Sequence, residues 1–261
     1  MNIKSYLKKR AVVVALYGFL QAFKQFCLFK PLLLFKGLTR YFRDYTRFKN
    51  DKPNMHFVAS HRYWYPCLAD WTTNTPLEPV YFYQDAWAAG ILFRNKPTHH
   101  YDVGSSIKTI GIISQFVPTT MIDIRPIEVH LDNLFFQKGS ILALPFKDNS
   151  IESLSSLCVV EHIGLGRYGD PVDPWGSEKA VAELKRVLKP GGNLLFSAPV
   201  HEENRIYFNA HRTFTREYIA ELFCDFLLIE EKYIYGLELH GTYDKVKGFG
   251  TGLFHFTKMR E

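Results

Sequence analysis

Between residues 99 and 198 short apolar runs alternate with helix-period segments. His100–Val103 reads as a strand ending in Gly104-Ser105-Ser106, followed by a helix over Ile107–Phe116. Thr120–Ile124 is a second strand, closing with Asp123-Ile124-Arg125-Pro126, and Leu134–Gln137 a short third one. A tight connection from Gly139 to Phe146 leads to a fourth strand at Ser153–Val159. Ser177–Leu188 then reads as an amphipathic helix, capped by Ser177 and stopped by Pro190-Gly191-Gly192, before a fifth strand at Asn193–Ala198. Such alternation predicts a parallel sheet covered by helices on both faces. Phe226–Tyr235 and Gly252–Lys258 are expected to pair antiparallel at the sheet edge. The expected fold class is therefore α/β: a Rossmann-like, doubly wound, mostly parallel sheet with an antiparallel edge hairpin, preceded by an N-terminal helical arm.

The charge is unevenly spread. Residues 1–49 carry eleven Lys or Arg and one acid, Asp44, for +10, whereas residues 50–261 sum to −4. The α/β part has no basic excess, which argues against nucleic-acid binding. Four scattered cysteines (Cys27, Cys67, Cys158, Cys224) form no CxxC pair, and no metal-ligand cluster of convincing spacing is visible. Three regions are expected: a basic, apolar helical arm (1–49), an aromatic-rich lead-in (50–98) and the α/β domain (99–261). In the arm, Lys4, Lys8, Lys9 and Arg10 precede the uncharged run Ala11–Phe23, which lacks a small-x-small cleavage site and is shorter than the ~20 residues of a spanning helix. It reads as a helix lying on an anionic membrane surface, or packed on the domain with a solvated basic face, with Pro31 and residues 36–49 as its end. Asp85 to Phe93 reads as a short helix with Trp87, Ile91 and Leu92 turned inward.

In an open α/β sheet, ligands bind beyond the carboxyl ends of the strands. Four groups fall there. Asp102 and Gly104, with Ser105, sit on the first turn. Asp123 ends the second strand, about 20 residues past the Gly turn, where an acid meets the ribose of an adenosine-type ligand. Gly139-Ser140-Ile141 is placed to flank a base ring. Finally, Glu161-His162-Ile163-Gly164-Leu165-Gly166-Arg167-Tyr168-Gly169-Asp170-Pro171 concentrates ionisable side chains among three glycines after the fourth strand. The residues themselves favour a nucleoside-containing cofactor over a ligand-free sheet.

Residues 99–200 resemble class I S-adenosylmethionine-dependent methyltransferases. The resemblance rests on Leu144 through Glu152, on Val160-Glu161-His162-Ile163, and on Glu183 through Gly192. More narrowly, residues 60–235 resemble the branch known as domain of unknown function 268. The shared pieces are Tyr101 through Ser106, Asp123 through Pro126, Glu161 through Pro171, and Phe208-Asn209-Ala210-His211-Arg212. The resemblance implies S-adenosylmethionine as cofactor, held by Asp102, Gly104, Ser105, Asp123, Ser140 and Ile141. Two features depart from the wider family: only Gly104 remains of its Gly-rich loop, and Ser140 stands where an acid is frequent.

Methyl transfer to a hydroxyl needs alignment and a base. His162 is the first candidate base, with Glu161 or Asp170 orienting it. Arg167 could hold a phosphate or carboxylate of the acceptor or pair with Asp170, and His211-Arg212 could reach the same cleft. The aromatic lead-in and basic arm suggest a small-molecule or glycan acceptor, such as a sugar hydroxyl of a cell-surface glycan, and a cytoplasmic location at the inner membrane face. Two alternatives stay open: a non-catalytic scaffold on the same fold, and a different nucleotide-dependent transferase in glycan assembly. Oligomeric state is not legible.

Overall fold

The structure is a computed structural model that describes residues 30–51, 57, 60, 61, 64–68 and 70–260. Residues 1–29, which carry the arm's uncharged run, lie outside the described residues. The chain divides into two compact units after Pro76.

In the first unit, helix α1 (Lys30–Asn50) runs through the stretch read as the end of the arm. The Trp64 ring packs edge-on against Tyr41, Phe42 and Tyr45, with centroids 5.4–6.0 Å apart, and the Arg40 guanidinium lies 4.7 Å over Trp71. Gly37 admits the chain at Leu68, because a Cβ there would stand 2.8 Å from the Leu68 carbonyl. Leu34, Phe35, Phe42 and Phe48 remain exposed. Among the described residues, no helix is long and apolar enough to cross a membrane.

The second unit begins with α2 (Pro79–Asn95). Glu78 caps it by accepting from the Tyr81 amide at 2.8 Å, and Pro79 opens it, where a missing N–H costs nothing. The inward face is wider than the sequence pattern suggested and includes Gln84 and Ala88 beside Trp87, Ile91 and Leu92. The strands are β1 (His100–Val103), β2 (Thr119–Asp123), β3 (Leu134–Lys138), β4 (Ile151–Leu157), β5 (Leu188–Val200), β6 (Arg205–Tyr207), β7 (His211–Thr213), β8 (Phe226–Tyr235), β9 (Glu238–His240) and β10 (Gly250–Lys258). The helices among them are α3 (Ile107–Ile113), α4 (Gly176–Val187) and α5 (Arg216–Leu222). Eight strands form one sheet in the order β3-β2-β1-β4-β5-β10-β8-β9, parallel from β3 to β5 and antiparallel from β5 to β9. The separate pair β6–β7 was not anticipated, because three-residue strands leave no periodic signal.

Strand side chains alternate between two cores, as a pleat requires. Ile122, Leu194 and Phe196 join Ala180, Leu184 and Phe223 on one face; Met121, Leu195 and Leu253 join Trp87, Ile91 and Ile110 on the other. Each such side chain contributes roughly 1.5–3 kcal/mol by leaving water, which fixes the doubly wound arrangement. Several boundaries differ from expectation. Strand β4 ends at Leu157 because Cys158 takes a left-handed backbone (φ 54°), so Val159 falls outside it. Helix α4 is not capped by Ser177, whose hydroxyl instead donates to the Val160 carbonyl at 2.8 Å. Nor does Pro190-Gly191-Gly192 stop that helix; the chain passes directly into β5 at Leu188, and the register shift opposite Ile151 and Ser153 absorbs these residues. Arg186 ties α4 to the 144–148 connection, donating to the Leu144 and Phe146 carbonyls and to Asp148 and Glu183.

Candidate functional site

The carboxyl ends of β1, β2 and β4 and the start of the 139–146 connection surround a cleft of about 910 Å³, counting its open mouth. Gly104 (φ 73°) turns the chain at the end of β1, and a Cβ there would press to 3.0 Å against Val159. Ser105 and Ser106 continue this wall; Asp123, Ile124 and Arg125 form the next, and Ser140, Ile141 and Leu142 the third. Cys158, Val159, His162, Ile163, Tyr168 and Asp170 close the side beyond β4, and Tyr81 reaches in from α2. The structure thus brings Gly104, Ser105, Asp123, Ser140, Ile141, His162 and Asp170 to one cleft. Asp102, Glu161, Arg167 and His211 are not on its wall.

Asp102 is fully buried behind the first turn. It accepts from the Ser105 amide at 3.0 Å and from the Ser105 and Ser155 hydroxyls, each at 2.5 Å. Its place is therefore to shape the loop rather than to face a ligand. The network continues inward: His100 lies between Ser153 (2.8 Å) and Ser155 (2.9 Å), and the Ser105 hydroxyl takes the Leu157 amide at 2.9 Å. Burial pushes Asp102 up to about 6 and His100 down to about 3, so the histidine is neutral at pH 7. Asp123 presents its carboxylate at the cleft while accepting from the Arg125 amide at 2.8 Å and pairing with its guanidinium at 3.2 Å. The Ser140 hydroxyl accepts from the Leu142 amide at 3.2 Å, which holds the third wall in shape.

The loop after β4 is folded tightly on itself. Gly164, Gly166 and Gly169 all have positive φ. Asp170 clamps the loop through backbone amides, taking Gly164 at 2.6 Å, Gly166 at 3.4 Å and Tyr168 at 3.2 Å, and it neither orients His162 nor pairs with Arg167. Arg167 donates to the Ala210 carbonyl at 2.8 Å and stacks 5.0 Å over Tyr168, whose ring Arg125 also covers at 5.0 Å. The buried Arg212 ties the loop to β7 by donating to the carbonyls of Ile163, Asp173 and Pro174 and to the Ser177 hydroxyl. His211 sits between the rings of Tyr207 and Phe249, 5.1 and 5.7 Å away, with its pKa lowered by burial and by Arg167.

His162 Nδ1 lies 2.7 Å from the Ala210 carbonyl, which requires the proton on that nitrogen. Its Nε2 then carries the lone pair and stands 3.7 Å from Glu161 Oε1. Burial lowers the pKa of His162 and raises that of Glu161 to about 8. Three groups that sequence reasoning passed over also belong here: Tyr81, Cys158 and Gln84. The Cys158 thiol and the Ser197 hydroxyl both donate to Gln84 Oε1, at 3.1 and 2.6 Å. A polar Gln on an apolar helix face was the available signal. Among the described residues no cluster of three or more His, Cys, Asp or Glu could hold a metal ion.

Residues 143–238 match the family described as Caenorhabditis protein of unknown function, DUF268. Over 73 residues, or 27% of this chain, the sequence is 38% identical to the ubiquinone/menaquinone biosynthesis C-methyltransferase UbiE of Hahella chejuensis; the match spans 25% of that relative's length. Among solved structures, the fold resembles a sarcosine dimethylglycine methyltransferase assigned in Galdieria sulphuraria (TM-score 0.52, 17% identity, covering 69% of this chain and 86% of the other). It also resembles the N-methyltransferase NodS of Bradyrhizobium japonicum in complex with S-adenosylhomocysteine (TM-score 0.50, 13% identity, 70% and 89%). The chain thus has the fold of the class I S-adenosylmethionine-dependent methyltransferases.

Proposed function

We propose that the chain is a methyltransferase using S-adenosylmethionine. One observation carries the reading: Gly104 and Asp123, at the ends of adjacent parallel strands, flank a cleft whose far wall is Ile141-Leu142. The residues fit the nucleoside part of such a cofactor. Gly104 leaves the backbone of the first turn open to close approach, Asp123 offers a carboxylate to ribose hydroxyls, and Ile124, Ile141 and Leu142 give apolar flanks to a planar base. The bound cofactor would supply an electrophilic methyl group; the protein has to place the acceptor in line with it and exclude water. Tyr81, His162 and Tyr168 surround the acceptor's place, and Asp170 and Arg212 hold the loop that forms it. The NodS structure, which holds S-adenosylhomocysteine, supports the same cofactor.

The acceptor we favour is a small molecule or a sugar hydroxyl of a glycan precursor. Peripheral attachment to an anionic membrane is supported by α1, which carries Lys36, Arg40, Arg43, Arg47 and Lys49 beside exposed Leu34, Phe35, Phe42 and Phe48. Calorimetry with S-adenosylhomocysteine, NAD and UDP-sugars tests the cofactor. Binding of S-adenosylhomocysteine alone is the expected result. Binding of a UDP-sugar in its place would favour a nucleotide-dependent transferase, and binding of none a scaffold.

A further inference from the structure

Glu161 is the least accounted-for group in the second unit. It is 2% exposed, and its Oε2 is buried with no hydrogen-bond partner. A buried carboxyl oxygen without a donor is costly and calls for an explanation, of which a functional role is one. Its surroundings do not supply a strong counter-charge. From the end of β4 the Cys158 thiol lies against it; from the start of α2, Tyr81 approaches; from its own loop come His162 and, farther off, Arg167. Toward His162 face Arg167 and Asp170 from the loop and His211 from β7.

The two neighbours constrain each other. With Nδ1–H given to Ala210, His162 directs an unprotonated Nε2 toward the Glu161 carboxyl. An ionised Glu161 opposite a neutral His162 would set a carboxylate against a lone pair. One proton removes the conflict in either of two arrangements, a neutral acid beside neutral imidazole or a carboxylate beside imidazolium. We propose that Glu161 and His162 share a single proton and that this pair, with Glu161 as its store, removes the acceptor's proton. The inference rests on the methyl-transfer reading. As the acceptor X–H forms its bond to the methyl carbon, the methyl–sulfur bond of the sulfonium donor breaks and keeps its electron pair on sulfur. The X–H proton passes to the His162 Nε2 lone pair of the singly protonated pair, which then releases one proton to water. His162 touches the cleft; Glu161 acts through it and is a positioning residue.

The experiment is a titration of the full chain labelled with ¹⁵N-histidine and ¹³C-carboxyl glutamate, followed by NMR from pH 5 to 9.5. His162→Gln assigns the imidazole signals, and calorimetry with S-adenosylhomocysteine is run on the same preparation. The expected result is a step near pH 8 in both the His162 Nε2 and one glutamate carboxyl signal. Glu161→Gln, nearly isosteric, abolishes the step, whereas Cys158→Ser keeps it. A wild-type His162 signal with no step above pH 7 overturns the shared proton without needing any variant, and so does a step that survives Glu161→Gln. If S-adenosylhomocysteine binds while the step is absent, the pair fails and methyl transfer stands. If the step is present and S-adenosylhomocysteine does not bind, the reading beneath the proposal fails, and the pair's role in catalysis with it.

Discussion

Replacing Glu161 by Gln should stabilise the protein at alkaline pH and do little in acid. The carboxyl has an ordinary value of 4.5 and is raised to about 8 in the folded chain, because burial penalises the charged form. The folded state therefore binds the proton more tightly than the unfolded chain. A raised folded pKa means that the associated stability is fully present below 4.5 and is lost as pH rises through about 8. At ~1.4 kcal/mol per pH unit, the full loss is about 5 kcal/mol, an appreciable part of a domain's total stability. Glutamine stays neutral throughout. The difference in unfolding free energy between Glu161→Gln and wild type should thus grow by about 3–5 kcal/mol from pH 4.5 to pH 9. Asp102, raised to about 6, and His100, lowered to about 3, give wild type its own slopes. Both residues are present in the two proteins and cancel in the difference. Urea unfolding at fixed ionic strength, read by tryptophan fluorescence across that range, measures it. A difference that stays flat between pH 5 and 9 would mean that Glu161 is already ionised when folded, and the argument from its burial would fail.

Other outcomes follow from the loop and the cleft. Arg212→Met leaves the carbonyls of Ile163, Asp173 and Pro174 without their donor and should cost about 3 kcal/mol in urea unfolding; unchanged stability would show that these bonds are not formed. Gly164→Ala places a Cβ 2.0 Å from the Asp173 carbonyl at φ 82°, so a loss of at least about 3 kcal/mol, or failure to fold, is expected in thermal melts. Asp123→Ala should weaken S-adenosylhomocysteine binding by roughly ten- to a hundredfold in calorimetry, with little change in melting temperature; equal affinity would remove this residue from the ribose site.

The architecture was legible because periodicity reports burial. The runs at 100–103, 134–137 and 226–235 and the helix near 177–188 fall where the structure has them, since each element hides one face or both from water. Boundaries were less legible where the backbone departs from regular geometry. Cys158, in a left-handed conformation, cuts β4 short, and Leu188 leads straight from helix to strand with a register shift behind it. What the sequence does not show in strand β4 is where its serines find partners: Ser153, Ser155 and Ser156 are all buried, with His100, Asp102 and the Val103 carbonyl satisfying their hydroxyls.

For the candidate site, the sequence by itself determined which residues gather at the strand ends: Gly104, Ser105, Asp123, Ser140, Ile141, His162 and Asp170 share one cleft because parallel strands deliver their carboxyl ends to the same edge. What each side chain does there was decided only by tertiary structure. Asp102 turned inward to the Ser105 loop, Asp170 became a clamp on backbone amides, and Arg167 reached a carbonyl 43 residues away. The same packing isolated Glu161 against His162. Hydrogen-bond partners and burial depend on which distant segments meet, and local spacing along a chain does not encode that.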